Sequence, residues 1–158
     1  VGTFSKSFAA VGGFVAGDEY LVHYLKHTAR ALMFSASLPP SNVASVIAAL
    51  DIIEREPQRM KRLGEIADKM RREFQSRGFD VGTSITPIVP ILMGDNMKAF
   101  KMWKLLFEKG VFTTPVVSPA VPSSRAMIRT SYSATHQEEH LNKVIHAFEE
   151  AGKELGVI

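Results

Sequence analysis

Cysteine is absent from the 158-residue sequence, which excludes disulfides and thiolate metal sites and fits a reducing compartment such as the cytoplasm. No apolar run reaches the roughly 18 residues that a membrane-spanning helix needs. No signal-peptide pattern occurs in the first residues. An excess of one charge is also missing, since 19 basic residues face 16 acidic ones and leave a formal charge of only +3. That surplus is too small to imply a nucleic-acid partner. The phosphate-binding pattern Gly-x-x-x-x-Gly-Lys-[Ser/Thr] is not found, and neither internal repeats nor low-complexity tracts occur. An initiating methionine is lacking too. The sequence opens on Val1, and Gly2-Thr3-Phe4-Ser5-Lys6 follows with no strand or helix set up before it, so the chain is expected to be part of a longer one.

With 46% hydrophobic residues the chain can bury one sizeable core. Residues 1–17 carry four glycines around two short apolar stretches, a composition that suits a loop, a tight turn and a short strand. Asp18 is expected to cap a helix reaching about Ala31, with Leu21, Leu25 and Leu32 at helical spacing. Ser41 is the expected N-cap of a second helix whose Val43, Val46, Ile47, Leu50 and Ile53 share a face, and Pro57 interrupts it. Met60, Leu63, Ala67, Met70 and Phe74 then recur at threes and fours until Gly78.

Beyond Gly78 the pattern changes to short β-like runs, Ile88–Met93, Val111–Thr114 and Ala126–Tyr132, with helices expected over 96–109 and 136–155. These periods predict an α/β chain with two parts, residues 1–77 and 78–158, divided in the Gly- and Thr-rich stretch Arg77–Pro87. Phe100, Trp103 and Phe107 lie at helical spacing and are read as core.

Lys6 is flanked by Ser5 and Ser7 in a loop of small and hydroxylic residues beside a glycine pair, where backbone amides and hydroxyls can face an anion. A lysine used as a Schiff-base nucleophile must be partly neutral, which needs a shielded site and a neighbouring positive charge. Most loop lysines are simply solvated. His136-Gln137-Glu138-Glu139-His140 fits a zinc-peptidase pattern, which makes His136 and His140 candidate ligands of a hydrolase. Thr135 and Glu138 equally fit a capping box that needs no metal, and no third ligand is evident, so no metal is assigned.

The run Gly2 to Phe8, followed by Gly12-Gly13-Phe14-Val15-Ala16-Gly17, resembles the cofactor-lysine segment of the α-oxoamine synthases. Two further segments match in order: Phe34-Ser35-Ala36-Ser37-Leu38-Pro39-Pro40 and Ile128-Arg129-Thr130-Ser131 with Ala134-Thr135-His136. Three collinear motifs make the resemblance specific, and it spans nearly the whole chain. It implies the end of a fold-type I large domain followed by a small C-terminal α/β domain with a short, largely antiparallel sheet. The implied activity is the pyridoxal-phosphate-dependent, decarboxylating condensation of serine, glycine or alanine with an acyl-CoA, in a homodimer. By the same likeness Lys6 carries the cofactor as a Schiff base and moves the α-proton. Thr3 contacts the cofactor phosphate, Ser35 approaches the phosphate held by the partner subunit, and Arg129 anchors the substrate carboxylate. For Thr3 and Ser35, bonding to their own turns is the structural alternative. For Arg129 the alternative is a solvent-facing or glutamate-paired strand residue.

The family's ring-stacking histidine and its aspartate for the pyridine nitrogen precede the lysine segment, so the likeness implies that this chain alone is not a competent enzyme. Ala120 stands where some members have a substrate-contacting threonine, and the wording of Phe34–Pro40 is nearer the serine palmitoyltransferase branch, with glycine acetyltransferases next. A non-catalytic dimerisation module is the competing reading, on the strength of the long amphipathic helices over 41–78.

Overall fold

The structure is a computed structural model that describes residues 1–158 and separates into two compact units, Val1–Pro57 and Gln58–Ile158. In the first unit, β1 (Gly2–Thr3) pairs antiparallel with β2 (Gly13–Phe14), Gly2 opposite Phe14 and Thr3 opposite Gly13. Helix α1 (Glu19–Thr28) starts at Asp18, whose side chain makes no capping bond. It does not run on to Ala31. The Thr28 hydroxyl donates back to the Tyr24 carbonyl at 2.8 Å, a bond that competes with the helix ladder, and Ala29 turns extended before α2 (Arg30–Met33). Helix α3 (Pro40–Arg55) begins at Pro40 with Pro39 as N-cap instead of Ser41, because a proline in the first turn has no amide hydrogen to leave unpaired. No residue of α3 is buried, and Val43, Ile47 and Leu50 are exposed.

The second unit holds the core. Helix α4 (Gln58–Ser76) buries Ile66, Ala67, Met70 and Phe74, and ends where Gly78 takes a φ of +92° that a side chain would disfavour. Strands β3 (Ile88–Leu92), β4 (Thr114–Val116) and β5 (Met127–Ser131) form an antiparallel sheet in the order β3-β5-β4. Helices α5 (Asn96–Glu108) and α6 (Glu138–Glu154) pack on it together with α4. Alternation along β5 turns Ile128 and Thr130 inward and leaves Arg129 and Ser131 exposed. The rings of Phe74, Phe79 and Phe148 meet at 4.9–6.0 Å in the centre of this layer.

The expected α/β class and short antiparallel sheet are therefore present, with three differences in detail. The chain divides at Pro57 and not in Arg77–Pro87, because α4 packs on β3 and α6. Phe100 and Phe107 are 43% and 57% exposed, since the buried stripe of α5 is Ala99, Met102 and Leu106; only Trp103 leans on the core. The capping box of α6 is formed by Gln137 and His140, not Thr135 and Glu138. Glu138 is drawn instead to Lys69 and Arg62 of α4, and Thr135 shares a hydrogen bond with the Ser133 hydroxyl at 2.9 Å.

Candidate active site

Between β1 and β2 the chain folds into a closed loop that presents Lys6. The Phe4 amide donates to the Gly12 carbonyl and the Ala10 amide to the Phe4 carbonyl, both at 2.9 Å, while a turn joins the Ala9 amide to the Lys6 carbonyl. Glycine is enforced here by the backbone itself. A Cβ on Gly13 would lie 2.4 Å from the Gly2 carbonyl oxygen, and Gly12 has a φ of +105°. Ala9 sits at a φ of +49°, a left-handed conformation that a side chain pays for in strain and that clusters at functional sites. Phe4 stacks on Phe14 and meets Phe8 edge-on, each with centroids 5.5 Å apart, which gives the loop an apolar floor.

Lys6 itself is exposed and has no ion pair, so its ammonium is available to a ligand. Two residues before it, the Ser5 hydroxyl shares a 2.8 Å hydrogen bond with the Thr3 hydroxyl, and the Ser5 amide donates to Thr3 Oγ1 at 3.3 Å. Thr3 also donates to the Gly12 carbonyl at 3.4 Å. Thr3 thus does what its structural alternative predicts while holding a small hydroxyl cluster on the lysine loop. Ser5 was not singled out from sequence; its signal is the Thr-x-Ser spacing, which puts both hydroxyls on one side of an extended segment.

Ser35 follows α2, and its hydroxyl donates to the Ala31 carbonyl. Its side chain is thereby committed to its own helix end. A hollow of about 450 Å³ in the same unit is lined by Phe14, Val22, Leu25 and Leu32 among others, but by none of Thr3, Lys6 and Ser35.

Arg129 belongs to the other unit. It stands between Pro90 of β3 and Thr114 of β4 on the exposed face of the sheet, with no carboxylate paired to it. The glutamate-paired alternative is not what is observed. His136 and His140 each use Nδ1 to accept a backbone amide, from Ser133 at 3.2 Å and from Gln137 at 3.0 Å, and no third side chain joins them in a metal-binding group. The zinc-hydrolase reading is left without a ligand set.

A lysine on a glycine-locked loop and a small antiparallel α/β unit are the parts that the resemblance to fold-type I enzymes leads one to expect. The chain belongs to the aminotransferase class I and II family, which it matches over residues 1–148. It is 47% identical over 153 residues to a serine palmitoyltransferase of Bacteriovorax stolpii, covering 97% of this chain and 36% of that protein. It is 40% identical over 158 residues to an 8-amino-7-oxononanoate synthase of Thermoanaerobacter pseudethanolicus, covering all of this chain and 40% of that one. A serine palmitoyltransferase structure with a pyridoxal phosphate internal aldimine superposes with a TM-score of 0.91 at 31% identity, over 99% of this chain and 40% of that one. The chain thus spans about 40% of the length of such relatives, and the kinship with α-oxoamine synthases holds.

Proposed function

We propose that this chain forms the lysine-bearing part of a cytoplasmic, homodimeric enzyme of its relatives' length, which condenses an amino acid with an acyl-CoA and releases carbon dioxide and coenzyme A. The observation that carries the reading is the unpaired Lys6 on a loop whose shape is fixed by Gly12 and Gly13. Pyridoxal phosphate, when bound, supplies an electron sink for charge at the substrate α-carbon. The residues present fit that group: the lysine is accessible, Thr3 and Ser5 offer hydroxyls, and side-chain-free backbone at Gly12–Gly13 allows close approach.

In this reading Lys6 Nζ would hold the cofactor and, when free, would take the substrate α-proton. Thr3 Oγ1, now bonded to the Gly12 carbonyl, would hold the cofactor phosphate. Ser35, now bonded to the Ala31 carbonyl, would approach the cofactor phosphate of a partner subunit. Arg129 receives the substrate carboxylate on its planar fork, a role supported by its lack of an acidic partner. The amino acid proposed is serine, because the serine palmitoyltransferase relative is nearer in sequence than the 8-amino-7-oxononanoate synthase. The exposed apolar face of α3 supports association with a second copy.

The test is release of free coenzyme A by the parent-length protein given palmitoyl-CoA with serine, glycine or alanine. Release that depends on the amino acid and is fastest with serine supports the proposal. Thioester cleavage indifferent to the amino acid would overturn it.

A further inference from the structure

In the second unit a cavity of about 410 Å³ opens between the segment Gly110–Thr113, the end of β5 and the first turns of α6. That volume lies in the range of small-molecule sites, about 300–1,000 Å³. Val111, Leu141 and Val144 give it apolar walls. None of the residues assigned above to cofactor or substrate lines it.

Two hydroxyls on this lining are buried without a well-formed hydrogen bond. Thr113 is only 6% exposed and its Oγ1 makes none; Tyr132 is half-buried, and its buried hydroxyl has only Thr130 beside it. Of the other two hydroxyls, that of Thr130 is already committed as donor to the Val89 carbonyl at 2.7 Å and that of Ser131 is on an exposed residue. An unsatisfied buried hydroxyl costs on the order of 1–3 kcal/mol, so two at one cavity point to an acceptor supplied from outside the chain. Burial pushes the Tyr132 phenol well above its ordinary value, against the opposing pull of Thr130, and keeps it a donor at neutral pH.

The remaining polar lining has the same character. Since Nδ1 of His136 and of His140 accepts a backbone amide, a neutral ring carries its hydrogen on Nε2; that of His140 lies 3.7 Å from the Glu139 carboxylate, which leaves His136 Nε2 as the donor. Lys143 lies over Gly110, where a Cβ would stand 3.0 Å from its Nζ, and it has no carboxylate partner. No aspartate or glutamate lines the cavity. The N-terminal end of α6, a 17-residue helix, adds the positive end of its dipole.

We propose that this cavity binds a carboxylate carried on an apolar body, with the Thr113 and Tyr132 hydroxyls and the Lys143 ammonium receiving the two oxygens. The apolar walls and the single free cation suit a monoanion with a hydrocarbon tail better than a phosphate dianion.

Titration of the parent-length protein with decanoate, followed by calorimetry and by the His136 and His140 ring resonances, tests this. Saturable binding is expected, weakened about tenfold or more by each of Thr113→Val, Tyr132→Phe and Lys143→Gln, and unaffected by Lys6→Ala; decanol should bind at least tenfold more weakly. If Thr113→Val fails to fold, Tyr132→Phe and the rim change Lys143→Gln decide. Absence of saturable binding, equal binding by wild type and the folded variants, or decanol binding as tightly as decanoate would each overturn the assignment.

Discussion

Gly13 illustrates how a single atom position controls the candidate site. Its missing Cβ leaves room for the Gly2 carbonyl, and the hairpin that carries Lys6 closes only because of that space. Gly13→Ala is therefore expected to open the hairpin and reduce cofactor occupancy, read as loss of the cofactor's near-violet absorbance. The second unit holds the whole core, so far-ultraviolet circular dichroism should change little. Arg129 makes a different prediction. A charge-assisted bidentate contact contributes about 1.5–3 kcal/mol, so Arg129→Gln is expected to lower kcat/KM for the amino acid roughly 10- to 100-fold, mainly through KM. An unchanged KM would remove Arg129 from the carboxylate role. These residues stood out in the sequence because they sit in short collinear motifs. Ser5 and the committed state of Ser35 did not, because both depend on which backbone oxygen a hydroxyl reaches.

Helices α5 and α6 show what period alone can and cannot decide. In α5 two stripes share the same helical spacing, Phe100-Trp103-Phe107 and Ala99-Met102-Leu106, and the larger side chains suggest the wrong one as core. The sheet selects the smaller stripe because Ala99 lets the helix approach closely. In α6 the motif at 136–140 holds two competing caps, and the attraction of Glu138 to Lys69 and Arg62 decides between them. The start, end and existence of most elements were readable from proline, glycine and apolar spacing; the strand at 111–114 was displaced to Thr114–Val116 because Val111 instead closes the end of α5 by donating to the Leu106 carbonyl at 2.8 Å. Packing on α6 is tight enough to test. A Cβ on Gly152 would come within 2.6 Å of Phe79 Cζ, so Gly152→Ala should destabilise the unit by about 1–3 kcal/mol. Phe148→Ala should cost about 3–5 kcal/mol, measured by denaturant unfolding.

At the scale of the whole molecule, exposed carboxylates that tie α6 to its neighbours add a small acid-dependent contribution to the stability of the second unit. Glu138 is held below its ordinary 4.5 by hydrogen bonding to Lys69 and Arg62, and Glu150 is lowered in the same way by Lys109. A carboxylate depressed in the folded state adds stability above its unfolded value, and that contribution is lost as pH falls through the folded one. The melting temperature should therefore drop on acidification below about 4.5, with a smaller drop in Glu138→Gln and in high salt. The sequence suggests a boundary in Arg77–Pro87, while the compact units meet at Pro57, because sequence period identifies α4 without revealing what it packs on. The grouping of Lys6 with Arg129 is a matter of kinship, since they lie in separate units and the chain spans about 40% of its relatives.

The central claim is that Lys6 is the residue to which the cofactor attaches. The most direct measurement is the absorbance spectrum of the parent-length protein with pyridoxal phosphate, for wild type and Lys6→Ala. A near-violet band in wild type that shifts on adding serine, and is missing from the variant, is the predicted result. An equal band in both proteins, or none in wild type, would contradict it.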